Sequence, residues 1–349
     1  MADTRTVVTI ASQLDAALVA RIAAVDDRLQ VRHEPELPRP PARGAPGGSA
    51  PLSRTAERQQ RWRTMLAETE VLFGIPEDSA DGLADAIRGS GRLRWIQATT
   101  GGAGQLLLDA GLTEQERAQV MITRAGGVPA GPLAEFAMFG LLAFTQGLPR
   151  LLADQKARRW ERHPTAELAG GTVLVVGLGA LGAQVVRLAK AFGMRVIAVN
   201  RTGRTDCPDV DEIRTPRFLG DLLPVAHGVV VTVPLTDQTR GMIDATAIDR
   251  MHSGAVLVAI GRSGVVDEAA LVQALRQSRL AGAALDVFAA EPLPVENPLW
   301  ELPNVLVNAH SGTLSRQQTE RIVAVFTENL RRYLAGDELL GAIRPAQLS

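Results

Sequence analysis

Three ionisable residues far apart in the chain share one setting. Arg262 follows the apolar run Ala255-Val256-Leu257-Val258-Ala259-Ile260, Glu291 follows Leu285-Asp286-Val287-Phe288, and His310 follows Val305-Leu306-Val307. Each run has the length and apolar content of a buried strand. In an open α/β sheet ligands bind beyond the carboxyl ends of the strands, so the three side chains are expected at one mouth. Together they suit reduction of a carbonyl. Hydride arriving at carbon leaves negative charge on oxygen, and an imidazolium can deliver the proton near neutral pH. A carboxylate beside the imidazole favours its charged form and orients it. A guanidinium holds a substrate carboxylate and polarises the carbonyl. Taken singly each residue has a duller explanation, a structural histidine or a loop charge; convergence carries the argument.

A second pattern supplies the hydride carrier. Thr172 to Val176 reads as a strand and Ala180 to Phe192 as a helix, with Gly177, Gly179 and Gly182 spaced G-x-G-x-x-G between them. Gly177 permits the tight turn, Gly179 lets backbone approach a pyrophosphate, and Gly182 lets helix and strand pack closely. The N–H groups at the helix start then face the phosphates. The next strand, Met194 to Val199, ends in Asn200-Arg201-Thr202. An acidic residue there would bind a ribose 2′-hydroxyl, whereas an Arg suits a 2′-phosphate. Asn200, Arg201, Thr202 and Arg204 therefore predict NADP, with NADPH preferred over NADH; the bland alternative is a pair of solvated loop charges.

The elements that position these residues read as two α/β domains. The first part alternates Val7 to Ile10 (strand), Leu14 to Val25 (helix), Leu29 to Arg32 (strand), Arg54 to Thr69 (helix), Glu70 to Gly74 (strand), Gly82 to Arg88 (helix), then strands at Arg94 to Ala98 and Gln119 to Thr123. Residues 35 to 51 hold six prolines and three glycines and read as a loop. Pro132 to Leu148 reads as one long apolar helix opened by proline. Later strands are expected at Val229 to Val233, Ala255 to Ile260, Gly282 to Leu285 and Val305 to Val307, with a helix at Asp267 to Gln277 and a final helix at Arg316 to Ala335. Such runs suit a parallel sheet buried on both faces.

Bulk properties narrow the class. The 349 residues suggest two domains and 46% apolar content supplies a core. A net charge of −1 gives no pull toward nucleic acid or an anionic membrane. Cys207 is the only cysteine, which excludes an intrachain disulfide and a cysteine metal cluster and suits a reducing, cytoplasmic setting. His33, His163, His227 and His252 show no ligand spacing, so no metal is expected.

The ordered set of motifs resembles the D-isomer-specific 2-hydroxyacid dehydrogenases, in particular those that reduce glyoxylate or hydroxypyruvate. It comprises Ala134-Glu135, the Gly177 motif, Ala191-Phe192-Gly193-Met194, Val233-Pro234-Leu235-Thr236, Arg262 with Val266-Asp267-Glu268, Leu285-Asp286-Val287-Phe288, Glu291-Pro292-Leu293, Pro298-Leu299-Trp300, Pro303-Asn304-Val305 and His310. The match runs from about residue 93 to 312. It implies a Rossmann-type doubly wound parallel sheet over 124–312 and a second, flavodoxin-like α/β substrate domain from 1–123 with 313–349, with a cleft between. It implies His310 as acid/base, Glu291 as its partner and Arg262 on the 2-oxo acid. Asp286 would contact the nicotinamide carboxamide, and Ala180 and Leu181 would offer N–H groups to the pyrophosphate. Val233 and Pro234, with Ile260, would line the cofactor. Gly101 and Gly102 would bring backbone N–H groups to the substrate carboxylate. The partners implied are a small 2-oxo or 2-hydroxy acid and a second copy of the chain, joined through the nucleotide domain. The chain has Gly261-Arg262-Ser263 where the family often has Ala-Arg-Gly, Ala309 where it often has Pro, and Gly104 where it often has Asp. The rival readings are a phosphoglycerate dehydrogenase and a catalytically silent dinucleotide sensor on the same fold.

Overall fold

The computed structural model describes residues 5–34, 55–99, 103–128, 130–315 and 317–343. The Pro/Gly-rich stretch 35–51 and the Gly101-Gly102 pair lie outside the described residues. The chain divides into two compact units, Met1–Val128 with Arg316–Ser349, and Pro129–Ser315.

The first unit holds five parallel strands: β1 (Thr6–Ile10), β2 (Leu29–Arg32), β3 (Val71–Phe73), β4 (Trp95–Ala98) and β5 (Met121–Arg124), ordered β2-β1-β3-β4-β5. That is the flavodoxin-like order. Side chains alternate between faces. Leu72 and Ile96 join one apolar cluster with Leu66, Leu83 and Ile87, while Val71, Phe73 and Trp95 join another with Ile22, Phe326 and Leu330 of the helices Ala16–Ala23 and Gln318–Ala335.

The second unit holds seven parallel strands: β6 (Thr172–Val176), β7 (Arg195–Val199), β8 (Glu212–Arg214), β9 (Gly228–Val231), β10 (Val256–Ala259), β11 (Gly282–Leu285) and β12 (Val305–Val307). Their order is β12-β11-β10-β9-β6-β7-β8. The chain starts at β6, builds outward to β8, then returns to the other side of β6. The sheet is thus doubly wound, as expected, with its switch point between β6 and β9. Leu174 and Val176 pack on one face, Val173 and Val175 on the other, and each face has its own helical cover.

Two local expectations need correction, and one strand, β8, has no counterpart among them. The segment read as a strand from Gln119 is first a helix, Glu114–Gln119, and β5 starts at Met121. Thr113 and Glu116 form a capping box there, which outweighs the short apolar run that follows. The long apolar helix is two, Ala130–Thr145 and Leu148–Ala157, broken at Gly147, whose φ of 69° a helix does not accommodate. Strand β8 carries two charged residues out of three and sits at the sheet edge, so it lacks the apolar signature of a buried strand. Among the described residues no single helix is long and apolar enough to cross a membrane.

Candidate active site

Strands β10, β11 and β12 are neighbours in register: Ala259 lies beside Leu285, and Leu285 beside Val307. The chain leaves all three at the same sheet edge. Arg262 follows β10, Asp286 and Glu291 follow β11, and His310 follows β12. Parallel pairing fixes this arrangement, because adjacent strands lie about 4.8 Å apart and point the same way.

The loops finish the placement. His310 Nδ1 lies 2.8 Å from Glu291 Oε2, with both side chains a little over one-third exposed. The other Glu291 oxygen accepts from the Phe288 N–H at 3.0 Å. One carboxylate thus anchors on its own loop and holds an imidazole from the next strand. With Nδ1 committed, Nε2 is the nitrogen left for a substrate. His310 itself sits at φ 50°, outside the regular regions, and its N–H donates to Asn308 O at 2.6 Å. Arg262 is exposed, and its guanidinium donates to its own neighbour, Gly261 O, at 2.8 Å. It lines a small cavity with Ser263, Glu268, Leu285, Val287 and Ala289.

Asp286 is only 1% exposed. Its Oδ1 accepts from Asn308 Nδ2 at 2.7 Å and from the Gly312 N–H at 2.8 Å. Burial pushes this carboxyl above the ordinary carboxylate range, against the opposing pull of the Gly312 N–H and nearby His310. The carboxyl group therefore staples the turn on both sides of His310. Asn308, a polar residue in an apolar strand end, carried no signal in the sequence that would have marked it.

The dinucleotide elements gather at the switch point. Val176 of β6 pairs with Val231 of β9, so Gly177 and Thr232 leave side by side. Gly177 has φ 106°, and a Cβ there would lie 2.8 Å from Val233 Cγ1. A Cβ on Gly182 would lie 2.0 Å from Gly177 O. Thr232 Oγ1 donates to Gly177 O at 2.7 Å and ties the turn to β9. Helix Ala180–Ala191 is capped by Gly179 with no side-chain bond, and a Cβ on Gly179 would meet nothing within 4 Å. The Ala180 and Leu181 N–H groups are thus left for an outside acceptor in open space, which fits a pyrophosphate.

Beyond β7, Asn200 organises the next loop. Its Oδ1 accepts from the N–H of Gly203 at 2.7 Å and of Thr202 at 3.1 Å, and its Nδ2 donates to Arg204 O at 2.8 Å. Arg201 and Arg204 are exposed and form no ion pair among the described residues. A guanidinium so placed fits a phosphate. Pro234 is exposed and Val233 half-buried beside the glycine turn, whereas the Ile260 side chain is 2% exposed and belongs to the core. Among the described residues no three His, Cys, Asp or Glu side chains gather as metal ligands.

Residues 138–312 match the model of the D-isomer specific 2-hydroxyacid dehydrogenase NAD binding domain. The chain is 31% identical over 289 residues to a glyoxylate reductase of Aeropyrum pernix, covering 79% of this chain and 84% of that protein. It is 31% identical over 244 residues to a D-3-phosphoglycerate dehydrogenase of Methanocaldococcus jannaschii, covering 66% of this chain but only 46% of that longer protein. Among solved structures, a D-isomer specific 2-hydroxyacid dehydrogenase from Xanthobacter autotrophicus Py2, in complex with NADPH and MES, aligns with a TM-score of 0.76 at 26% identity over 99% of this chain and 100% of that one.

Proposed function

The chain belongs to the D-isomer specific 2-hydroxyacid dehydrogenases, and on that footing we propose that it reduces a small 2-oxo acid to the D-2-hydroxy acid with NADPH. The observation that carries this reading is the His310–Glu291 contact, set beside Arg262 at the ends of adjacent strands of the sheet that bears the glycine turn. When bound, the nicotinamide supplies hydride to the carbonyl carbon. His310 delivers a proton to the carbonyl oxygen as charge develops there. Glu291 holds the imidazole at Nδ1 and orients it. Arg262 holds the substrate carboxylate and polarises the carbonyl.

Arg201 and Thr202, shaped by Asn200, favour NADPH over NADH, and the Xanthobacter neighbour with NADPH supports that choice. Glyoxylate or hydroxypyruvate is the substrate class, in keeping with the glyoxylate reductase relative, which aligns over most of both lengths. Pro129–Ser315 carries the dinucleotide site, and Met1–Val128 with Arg316–Ser349 forms the substrate domain. The protein works in the cytoplasm as a homodimer; Phe139, Leu151 and Leu152, together with Trp160 at 98% exposed, supply apolar surface on the nucleotide domain for a second copy. A silent sensor has no use for the acid/base pair. The test is NADPH oxidation against a panel of 2-oxo acids; turnover confined to NADH and 3-phosphohydroxypyruvate would favour the phosphoglycerate dehydrogenase reading instead.

A further inference from the structure

The loop between β11 and the short helical turn Pro298–Trp300 contains no helix or strand. Its shape therefore rests on side-chain bonds rather than on a ladder, and it carries Glu291. Two of those bonds come from one residue outside the loop. Glu268 Oε2 accepts from the Ala289 N–H at 2.9 Å, and Glu268 Oε1 accepts from Asn297 Nδ2 at 3.0 Å. The two attachment points flank Glu291. Within the loop, the Phe288 N–H donates to Glu291, so successive backbone donors, Phe288 and Ala289, serve two different carboxylates.

Glu268 is well placed to act as a fixed post. It opens helix Glu268–Arg276, which buries Leu271, Val272, Ala274 and Leu275 in the core. The capping duty falls to Asp267, whose side chain accepts from the Ala270 N–H at 3.0 Å, and this leaves the Glu268 carboxylate for the loop. Asn297 is fixed in turn, because its Oδ1 accepts from the Leu299 N–H at 2.9 Å. Glu268 also lines the cavity that Arg262 and Ala289 share.

We propose that Glu268 is a positioning residue that straps the β11 loop at two points and so sets the reach of Glu291 to His310. It touches neither the imidazole nor the reacting atoms, and acts through Ala289, Asn297 and Glu291. The proposal rests on the acid/base reading of that pair, and its test is arranged to separate the two.

In the full-length protein, Glu268→Ala is expected to lower kcat with a 2-oxo acid by up to about a hundredfold, the scale on which a misplaced catalytic group is felt. KM for NADPH stays unchanged. Glu268→Gln keeps one acceptor but turns an amide N–H toward a donor, so it is expected to fall between wild type and alanine. Adding Asn297→Asp to Glu268→Gln reverses the second bond, with Gln donating and Asp accepting, while the Leu299 cap is kept. That double variant is expected to regain most of the lost kcat. Two readouts are independent of turnover. Amide exchange at Ala289 is expected to accelerate in Glu268→Ala, and the His310 imidazole resonances to move in NMR spectra at fixed pH, as is expected also of Glu291→Gln. A Glu268→Ala protein with wild-type exchange at Ala289 and wild-type His310 imidazole resonances would overturn the strap, as would a double variant no better than Glu268→Gln. If His310→Ala itself left turnover intact, the acid/base reading would fall, and the exchange and resonance data would still decide the strap.

Discussion

Glu291 and His310, nineteen residues apart in the chain, meet at 2.8 Å because they leave neighbouring parallel strands at the same sheet edge. The contact is between a carboxylate already anchored by the Phe288 N–H and a histidine on a turn stapled by Asp286. Neither group is free to choose its geometry, which is what general acid catalysis asks of such a pair.

His310→Ala is expected to reduce kcat by about a hundredfold or more, the usual scale of a lost general acid. Glu291→Gln keeps the shape and removes the charge. It is expected to lower kcat by about tenfold or more, because the imidazole is no longer held by a carboxylate. A wild-type kcat would dissociate Glu291 from the proton transfer.

Arg201→Ala should separate the two nicotinamide cofactors. Loss of a charge-assisted bond to a 2′-phosphate is expected to lower kcat/KM for NADPH about tenfold or more, and to leave NADH nearly untouched. Equal losses with both cofactors would mean that Arg201 supports the loop and does not read the phosphate.

Gly179→Ala and Gly182→Ala make opposite predictions about stability. A Cβ at 182 falls 2.0 Å from the Gly177 carbonyl, so helix and turn must separate, at a cost of about 1–3 kcal/mol. A Cβ at 179 meets open space and should leave Tm unchanged, while it obstructs a pyrophosphate. Thermal melts and NADPH fluorescence titrations measure both. Wild-type affinity in Gly179→Ala would move the phosphate away from this turn.

Tyr333 gives a pH prediction in the other unit. Its hydroxyl donates to Glu70 Oε1 at 2.8 Å, and burial, followed by that bond, pushes the phenol well above its ordinary value. Folding thus favours the protonated form. The associated stability is complete below the unfolded value, about pH 10, and is lost as pH rises toward the folded value. Tm of wild type should fall more steeply above pH 10 than Tm of Tyr333→Phe. At neutral pH the variant should be about 1 kcal/mol less stable, for the lost bond to a carboxylate. Parallel Tm curves would refute the linkage.

The sequence by itself determined the elements with strong local signatures and the chemistry they carry. Val-rich runs such as Val173 to Val176 and Val229 to Val231 announce buried parallel strands, since both faces must be apolar. Gly177, Gly179 and Gly182 announce the turn, since 177 and 182 have no room for a Cβ and 179 leaves space for a phosphate. Three late apolar runs followed by Arg262, Glu291 and His310 suggest a reducing site. Elements with weak local signals were less legible. The capped helix at Glu114, the break at Gly147 and the charged edge strand β8 depend on bonds and neighbours that spacing does not reveal. Only the tertiary structure showed how the site is held: Asp286 reaching across to Asn308 and Gly312, Asn200 closing its loop, and Glu268 gripping the strand of backbone beside Glu291. The physical reason is that local sequence sets backbone preference and apolar periodicity, whereas these side-chain bonds join segments that only sheet pairing brings within reach.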